Sequence, residues 1–356
     1  MAELDRPTRP VPRPLPALLT GENADVYFLR SEQVLAADGR NPVVTMEVFC
    51  RRAGATLCGI AEAQGLLAIA LEADAAAGNA TIWALKDGDV VEAKEVVLRI
   101  RAPYQSIARF ETAYLGMMAH GTGWATAARA IVDAAAPTPV IAFGARHVHP
   151  NVADRLDYAA IIGGATSAST TAGSTRAGRL PIGTMPHALV LIYGDTLEAA
   201  LAFDRTIESE VPRIVLVDTF RDESEESTRI AAALGSKLGG VRLDRASELG
   251  GVTPALVAEV RAALDAAGAT SAQIVISGGL SLERIAEFKA AGSRVDTYAV
   301  GSAISGVRPI DFTADIHEID GQPIGKRGRP SGITTSPRLR EVDLAAWRAA
   351  LTPATR

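Results

Sequence analysis

Hydrophobic and polar positions change rhythm twice along this chain. From about Val43 to Ala102 the apolar runs are short and rich in β-formers. They are Met46-Glu47-Val48-Phe49-Cys50-Arg51, Thr81-Ile82-Trp83-Ala84-Leu85-Lys86 and Glu95-Val96-Val97-Leu98-Arg99-Ile100-Arg101, the last alternating polar and apolar with period two. Asp87-Gly88-Asp89, between the second run and Val90-Val91, predicts a hairpin. Tyr104 to Ala136 moves to a helical step, with Ile107, Phe110, Tyr114, Met117 and Met118 on one face as core residues.

From Pro139 the rhythm becomes strand, loop, helix, repeated. Val140-Ile141-Ala142-Phe143 ends in Gly144-Ala145-Arg146, and Arg213-Ile214-Val215-Leu216-Val217 ends in Asp218-Thr219. Gly240-Val241-Arg242-Leu243 ends in Asp244, Gln273-Ile274-Val275-Ile276 in Ser277-Gly278-Gly279, and Thr297-Tyr298-Ala299-Val300 in Gly301-Ser302. Thr253-Pro254 starts a helix with Leu256, Val257, Val260 and Leu264 on its apolar face and Gly268 at its end. Ser281 caps the next helix, which stops at Gly292. Short apolar strands alternating with helices are parallel strands buried on both faces. A doubly wound open sheet is the other arrangement, but no G-x-G-x-x-G follows the first strand. The fold expected is α/β: an incomplete (β/α) barrel with an N-terminal β-rich α/β domain completed by the C-terminal tail.

The expected organisation is a flexible leader over residues 1–17, a β-rich, sandwich-like domain with linking helices over 18–138, the barrel over 139–310, and a returning tail over 311–356. The leader rests on the prolines and charges before Leu18, which form no signal peptide. With 356 residues, 48% of them apolar, the chain can bury a large core. A net charge of −5 offers no basic field for nucleic acid, and no long apolar run predicts a membrane span. The two cysteines, Cys50 and Cys58, have no metal-ligand spacing and read as a reduced pair in a cytoplasmic protein.

Chemistry in a barrel lies at the C-terminal strand ends. There this chain offers the cation Arg146, the carboxylates Asp218 and Asp244 with Arg242 two residues before the latter, and the turns Gly278-Gly279 and Gly301-Ser302. Glycine turns opening helices let backbone N–H groups approach a phosphate. Each feature also has a plainer reading: tight turns, helix caps for the aspartates, a structural ion pair for Arg146. Together they call for a phosphorylated ligand carrying hydroxyls, such as a phosphoribosyl group. His187, one of five histidines, ends the turn Gly183-Thr184-Met185-Pro186 before the apolar run Ala188-Leu189-Val190-Leu191-Ile192. It reads either as a proton carrier or nucleophile, or as a capped helix start.

Six blocks carry a family resemblance: Phe143-Gly144-Ala145-Arg146-His147-Val148-His149-Pro150, Gly183-Thr184-Met185-Pro186-His187-Ala188, Val217-Asp218-Thr219, Val241-Arg242-Leu243-Asp244, Ile276-Ser277-Gly278-Gly279-Leu280 and Val300-Gly301-Ser302-Ala303-Ile304-Ser305. In order and spacing, from about Ala24 to Gly328, the chain resembles nicotinate phosphoribosyltransferase, of the type II phosphoribosyltransferase family. The resemblance implies transfer of a ribosyl phosphate from 5-phosphoribosyl 1-pyrophosphate to nicotinate, in NAD salvage. It implies coupling to ATP hydrolysis through a phosphohistidine at His187, and Mg²⁺ bound through the substrate rather than in a protein cage. It further implies phosphate contacts from Arg146, ribose or pyrophosphate contacts from Asp218, Thr219, Arg242 and Asp244, and a 5′-phosphate cradle at Gly278, Gly279, Gly301 and Ser302. Tyr27 resembles the aromatic that stacks on the pyridine from a partner subunit, which implies a homodimer or higher homo-oligomer with shared sites.

Two departures stand out. The tail Thr334-Thr335-Ser336-Pro337-Arg338 lacks the cysteines of zinc-binding relatives, so no structural zinc is expected, and His147 replaces the second arginine of the family's basic block. The nearest alternatives are quinolinate and nicotinamide phosphoribosyltransferases. The quinolinate enzyme carries a His-Arg pair after its glycine pair, whereas here Gly163-Gly164 precedes Ala165-Thr166-Ser167-Ala168. A nucleotide-sensing barrel is the non-enzyme alternative.

Overall fold

The computed structural model describes residues 4–352, so the extreme ends of the expected leader and tail lie outside the described residues. The chain forms two compact units. One holds the residues up to Thr126, Arg176–Gly178 and those from Val307 onward; the other holds Ala127–Thr175 and Arg179–Gly306.

The first unit is built on a six-stranded antiparallel sheet. Across it run Gln322–Pro323, Phe312–Ile319, Val43–Cys50, Val96–Pro103, Thr81–Ala84 and Arg340–Glu341. The C-terminal segment therefore supplies both edges of a sheet whose centre comes from the N-terminal half. The second layer is helical, and this replaces the expected sandwich. Helix Ile60–Ala70 is apolar on nearly every face, and its Ile60, Ala63, Leu66 and Leu67 share a core with Val48, Leu98, Ile100 and Tyr114. A helix of that kind has to be covered on all sides. Cys50 and Cys58 are buried here as free thiols, and burial raises the pKa of both.

Two expectations fail in this unit. Asp87-Gly88-Asp89 makes a turn but no hairpin: Val90–Val91 pairs with Ala55–Thr56 instead of Thr81–Ala84. Asp87 accepts from the Ile60 N–H at the start of a helix, and Gly88 N–H bonds to the Leu57 carbonyl. Those bonds carry the chain away from its own preceding strand. The described part of the leader is also pinned. Asp5 is buried, takes a bond from Gln64, pairs with Lys86 and accepts from the Trp347 indole through its carbonyl. Val11–Pro12 then pairs in parallel with Leu351–Thr352. Partners hundreds of residues away leave no local trace in a proline-rich stretch.

The second unit is a curled, wholly parallel sheet in the order Ser167–Ala168, Val140–Ala142, Thr297–Val300, Gln273–Ile276, Leu238–Leu243, Arg213–Leu216. Read as a ring, neighbours follow chain order, and the last strand returns to the first. The ring is broken only between Ser167–Ala168 and Arg213–Leu216. This is the incomplete (β/α) barrel. Ile214, Val275 and Ala299, one from each of three strands, form a buried cluster with Phe143 packed against it.

The end of the barrel where its strands begin is laced by cations on helix-end carbonyls. Arg213 donates to the carbonyls of Asp204, Ile207, Glu208 and Val211, and Arg261 to those of Ala269 and Ala272. Lys289 does the same for Ala134 and Ala136. Such bonds satisfy groups that a helix end leaves open. The caps read from sequence are present: Thr253 accepts from the Leu256 N–H, and Ser281 from the Arg284 N–H.

Close strand packing gives a direct test. A Cβ on Gly240 would lie 2.5 Å from the Gln273 carbonyl oxygen on the neighbouring strand. Gly240→Ala must push the two strands apart, and denaturant unfolding should show a loss of about 1–3 kcal/mol. An unchanged midpoint would mean that the strands tolerate a wider spacing.

Candidate active site

After strand Ser167–Ala168 the chain comes back along the open edge of the sheet before strand Arg213–Leu216. Its residues 180–182 run beside the open strand: the Ser167 hydroxyl donates to the Leu180 carbonyl, and the Ile182 N–H to the Ala168 carbonyl. The Gly183–His187 turn follows at once. Helix His187–Tyr193 starts on the histidine itself, after Pro186 in extended geometry, and ends at Gly194 with φ +72°. No side chain caps this helix start, so His187 is not a capping residue.

His187 instead faces the end of strand Arg213–Leu216. Its Nε2 lies 3.3 Å from Asp218 Oδ2, and the Asp218 side chain is only 3% exposed against 40% for His187. Burial pushes the Asp218 carboxyl above its ordinary range, the His187 contact pulls it down, and nearby Asp244 pushes it up again. An ionised Asp218 can only accept, so a neutral His187 bonded to it donates from Nε2 and keeps the Nδ1 lone pair. Asp218 Oδ1 is buried with no hydrogen-bond partner. The cap reading of Asp218 fails as well, because Asp222 caps the following helix by accepting from the Ser224 N–H.

Arg242 ties the next strand end to the same turn. One of its nitrogens donates to the Thr184 hydroxyl and another to Asp244 Oδ2 at 3.3 Å. The residue is 9% exposed, and its Nε is buried without a partner. Burial lowers the Arg242 pKa, Asp244 and Asp218 raise it, and Arg146 nearby lowers it. Four of the expected residues, Arg146, Asp218, Arg242 and Asp244, thus share one electrostatic neighbourhood with His187. Thr219, next along, has a buried hydroxyl with no partner.

The glycine turns stand at the last two strand ends. Gly278 and Gly279 both have positive φ, +84° and +62°. A Cβ on Gly278 would lie 2.9 Å from Asp244 Oδ1, so this turn touches the carboxylate. Gly301 and Ser302 open the short helix Ser302–Ser305. A Cβ on Gly301 would lie 2.8 Å from the His147 ring, whose Nδ1 is 3.0 Å from Ser305 Oγ. His149 accepts from the Asn151 N–H and caps a local turn.

Tyr27 belongs to the first unit, 57% exposed on helix Val26–Ala37. The residues that local reading missed are Thr184 and Ser305. Both stood inside quoted blocks, but only the fold pairs them with Arg242 and His147. Among the described residues no cluster of three or more His, Cys, Asp or Glu side chains is arranged to hold a metal, and no helix is long and apolar enough to cross a membrane.

The chain matches sequence models of the quinolinate phosphoribosyl transferase N-terminal domain over residues 25–122 and of its C-terminal domain over 124–315. A nicotinate phosphoribosyltransferase of Mycobacterium tuberculosis is 33% identical over 272 residues, 74% of this chain and 58% of that protein. One from Bacillus subtilis is 29% identical over 62% of this chain and 45% of that protein. The chain therefore spans about half the length of these curated relatives. A solved nicotinate-nucleotide pyrophosphorylase from Pyrococcus furiosus is 39% identical with a TM-score of 0.80, covering 89% of this chain and 80% of that one. Human nicotinic acid phosphoribosyltransferase, 17% identical with a TM-score of 0.65 over 86% of this chain and 77% of that one, shares the fold.

The His187–Asp218 pair predicts a pH signature. Because the Asp218 pKa is raised, its carboxylate is lost on acidification at a higher pH than a free aspartate would show. The partner that orients His187 is lost with it, so catalysis should fall along an acid limb set by Asp218. Asp218→Asn should lower kcat about 10²-fold or more and remove that limb. Folding runs the opposite way: a raised pKa means the native state gains stability as pH falls through it, and Asp218→Asn should abolish that gain too. A variant with the wild-type pH–rate profile would contradict the pairing.

Proposed function

The chain belongs to the quinolinate phosphoribosyl transferase family of type II phosphoribosyltransferases, and from that premise we propose that it makes nicotinate mononucleotide and pyrophosphate from nicotinate and 5-phosphoribosyl 1-pyrophosphate, with ATP hydrolysis coupled through phosphorylated His187. The observation that carries the reading is His187 held on a barrel-gap turn against a buried carboxylate. Quinolinate and nicotinamide are the competing acceptors, and the family models bear quinolinate's name. Against quinolinate stands the absence of a cation in Ala165-Thr166-Ser167-Ala168 after the glycine pair, since a second carboxylate needs a second positive partner.

The residue roles are part of the same proposal. The glycine turns at Gly278-Gly279 and Gly301-Ser302 receive the 5′-phosphate on backbone N–H groups. Asp218, Thr219 and Asp244 face the ribose hydroxyls. Arg146 and the unpartnered Nε of Arg242 stabilise charge developing on the departing pyrophosphate. Mg²⁺ suits the donor set as an ion brought by the pyrophosphate, with Asp218 and Asp244 as the carboxylates beside it. Bound there, it would supply positive charge to the leaving pyrophosphate. A loose, cation-like ribosyl transition state needs positioning and electrostatics more than covalent help.

In the coupled step His187 Nδ1 attacks the γ-phosphorus of ATP. The N–P bond forms as the bond to the bridging oxygen breaks and ADP leaves, and water later releases phosphate. The negative charge gained at His187 can order the turn that Arg242 holds through Thr184. Tyr27 from a second subunit would supply a ring to the pyridine, which makes a homo-oligomer with shared sites part of this reading.

The test is turnover with the phosphoribosyl donor and Mg²⁺, offering nicotinate, nicotinamide and quinolinate separately, with and without ATP. Nicotinate mononucleotide formation, stimulated by ATP, is expected. Product from quinolinate alone, with release of CO₂, would overturn the assignment. His187→Ala should lose the ATP stimulation, and a variant that still hydrolyses ATP in step with product would remove His187 from that role.

A further inference from the structure

We infer that Asp157 is the positioning residue that sets the loop at the end of the second barrel strand, and with it the site where the pyridine ring binds. The inference rests on the phosphoribosyl-transfer reading. Asp157 lies on helix Ala153–Ile162 between Leu156 and Tyr158, with 0% of its surface exposed. A carboxylate among apolar side chains is costly unless it is well bonded. Its Oδ2 accepts the Thr170 backbone N–H at 2.7 Å and lies 3.4 Å from the Ser169 hydroxyl, while its Oδ1 is buried without a partner. Burial raises its pKa, and the bonds from Thr170 and Ser169 lower it.

What it holds is the short loop of residues 169–170 after strand Ser167–Ala168, which leads into helix Thr171–Arg176. Thr170 Oγ1 accepts the Gly173 N–H at 3.2 Å, and Ser174 donates to the Ala168 carbonyl at 3.0 Å. That same carbonyl accepts the Ile182 N–H, one residue before the Gly183–His187 turn. The segment lies hard against helix Ala153–Ile162: a Cβ on Gly173 would be 2.6 Å from Asp157 Cβ and 2.7 Å from the Asp154 carbonyl oxygen. One buried carboxylate therefore holds the start of this segment against helix Ala153–Ile162.

The division of the barrel mouth says which substrate feels this. The last two strand ends carry the glycine turns, and the two ends before them carry Asp218, Arg242 and Asp244. The first strand end carries Arg146, given above to the pyrophosphate, so the second strand end remains for the acceptor ring. Displacing residues 169–170 and the start of helix Thr171–Arg176 should weaken pyridine binding while leaving the phosphoribosyl donor's contacts in place.

The experiment is steady-state kinetics on the full chain for Asp157→Ala, Asp157→Asn and Gly173→Ala, with thermal unfolding measured alongside. Asp157→Ala should raise KM for nicotinate about tenfold or more and KM for the phosphoribosyl donor less than about twofold. Asp157→Asn keeps an oxygen for the Thr170 N–H and should recover most of the loss. Gly173→Ala presses on the same contact from helix Thr171–Arg176, should show the same split, and decides the matter if Asp157→Ala does not fold. Folded variants in which both KM values stay unchanged, or rise together, would overturn the inference. Wild-type turnover with nicotinate or quinolinate is the separate control: its loss overturns the functional reading, whereas the ratio of the two KM changes judges Asp157, with whichever acid is used.

Discussion

The structure turns on a carboxylate taken out of water with a single side-chain partner. The Asp218 side chain is only 3% exposed, and His187 is its partner. Burying a charge this way is tolerable only where neighbours offset it. Arg242 does so from the next strand, but Asp244 adds a like charge beside it. Each group is therefore held in place by the others. The Arg242 bond to Thr184 extends that arrangement into the turn carrying His187, so the loop and the strand ends cannot move independently.

This depends on the break in the barrel. A complete ring would place another strand between Ser167–Ala168 and Arg213–Leu216. In its stead the chain inserts a loop whose residues 180–182 satisfy the open edge through Ser167 and Ala168, then releases the Gly183–His187 turn toward the site. The opposite end of the barrel is locked by Arg213, Arg261 and Lys289 on helix-end carbonyls. Stability is concentrated at one end and reactive groups at the other, as the barrel architecture favours.

Much of this was legible from local chemistry. The parallel strands announced themselves as short apolar runs between capped helices, and each ended in a reactive or glycine-rich residue. Thr253, Ser281, Gly268 and Gly292 behave as local rules require. What escaped was non-local. Ser167–Ala168 is two residues long and shows no period. The Asp87-Gly88-Asp89 turn is redirected by bonds to Ile60 and Leu57, and the leader is held by Gln64 and Trp347. In the site, His187 and Asp218 were visible one by one, but the Arg242–Thr184 bond and the Asp157–Thr170 bond exist only once distant segments meet.

In the proposed coupling Asp218 holds His187 through Nε2 so that Nδ1 receives a phosphoryl group. The most direct measurement is phosphorus and nitrogen NMR of the protein, labelled at its histidines and incubated with ATP and Mg²⁺. The account predicts one phosphoramidate signal, coupled to Nδ1 of His187 and missing in His187→Ala. No such signal, or a phosphoryl group on Nε2, would contradict it.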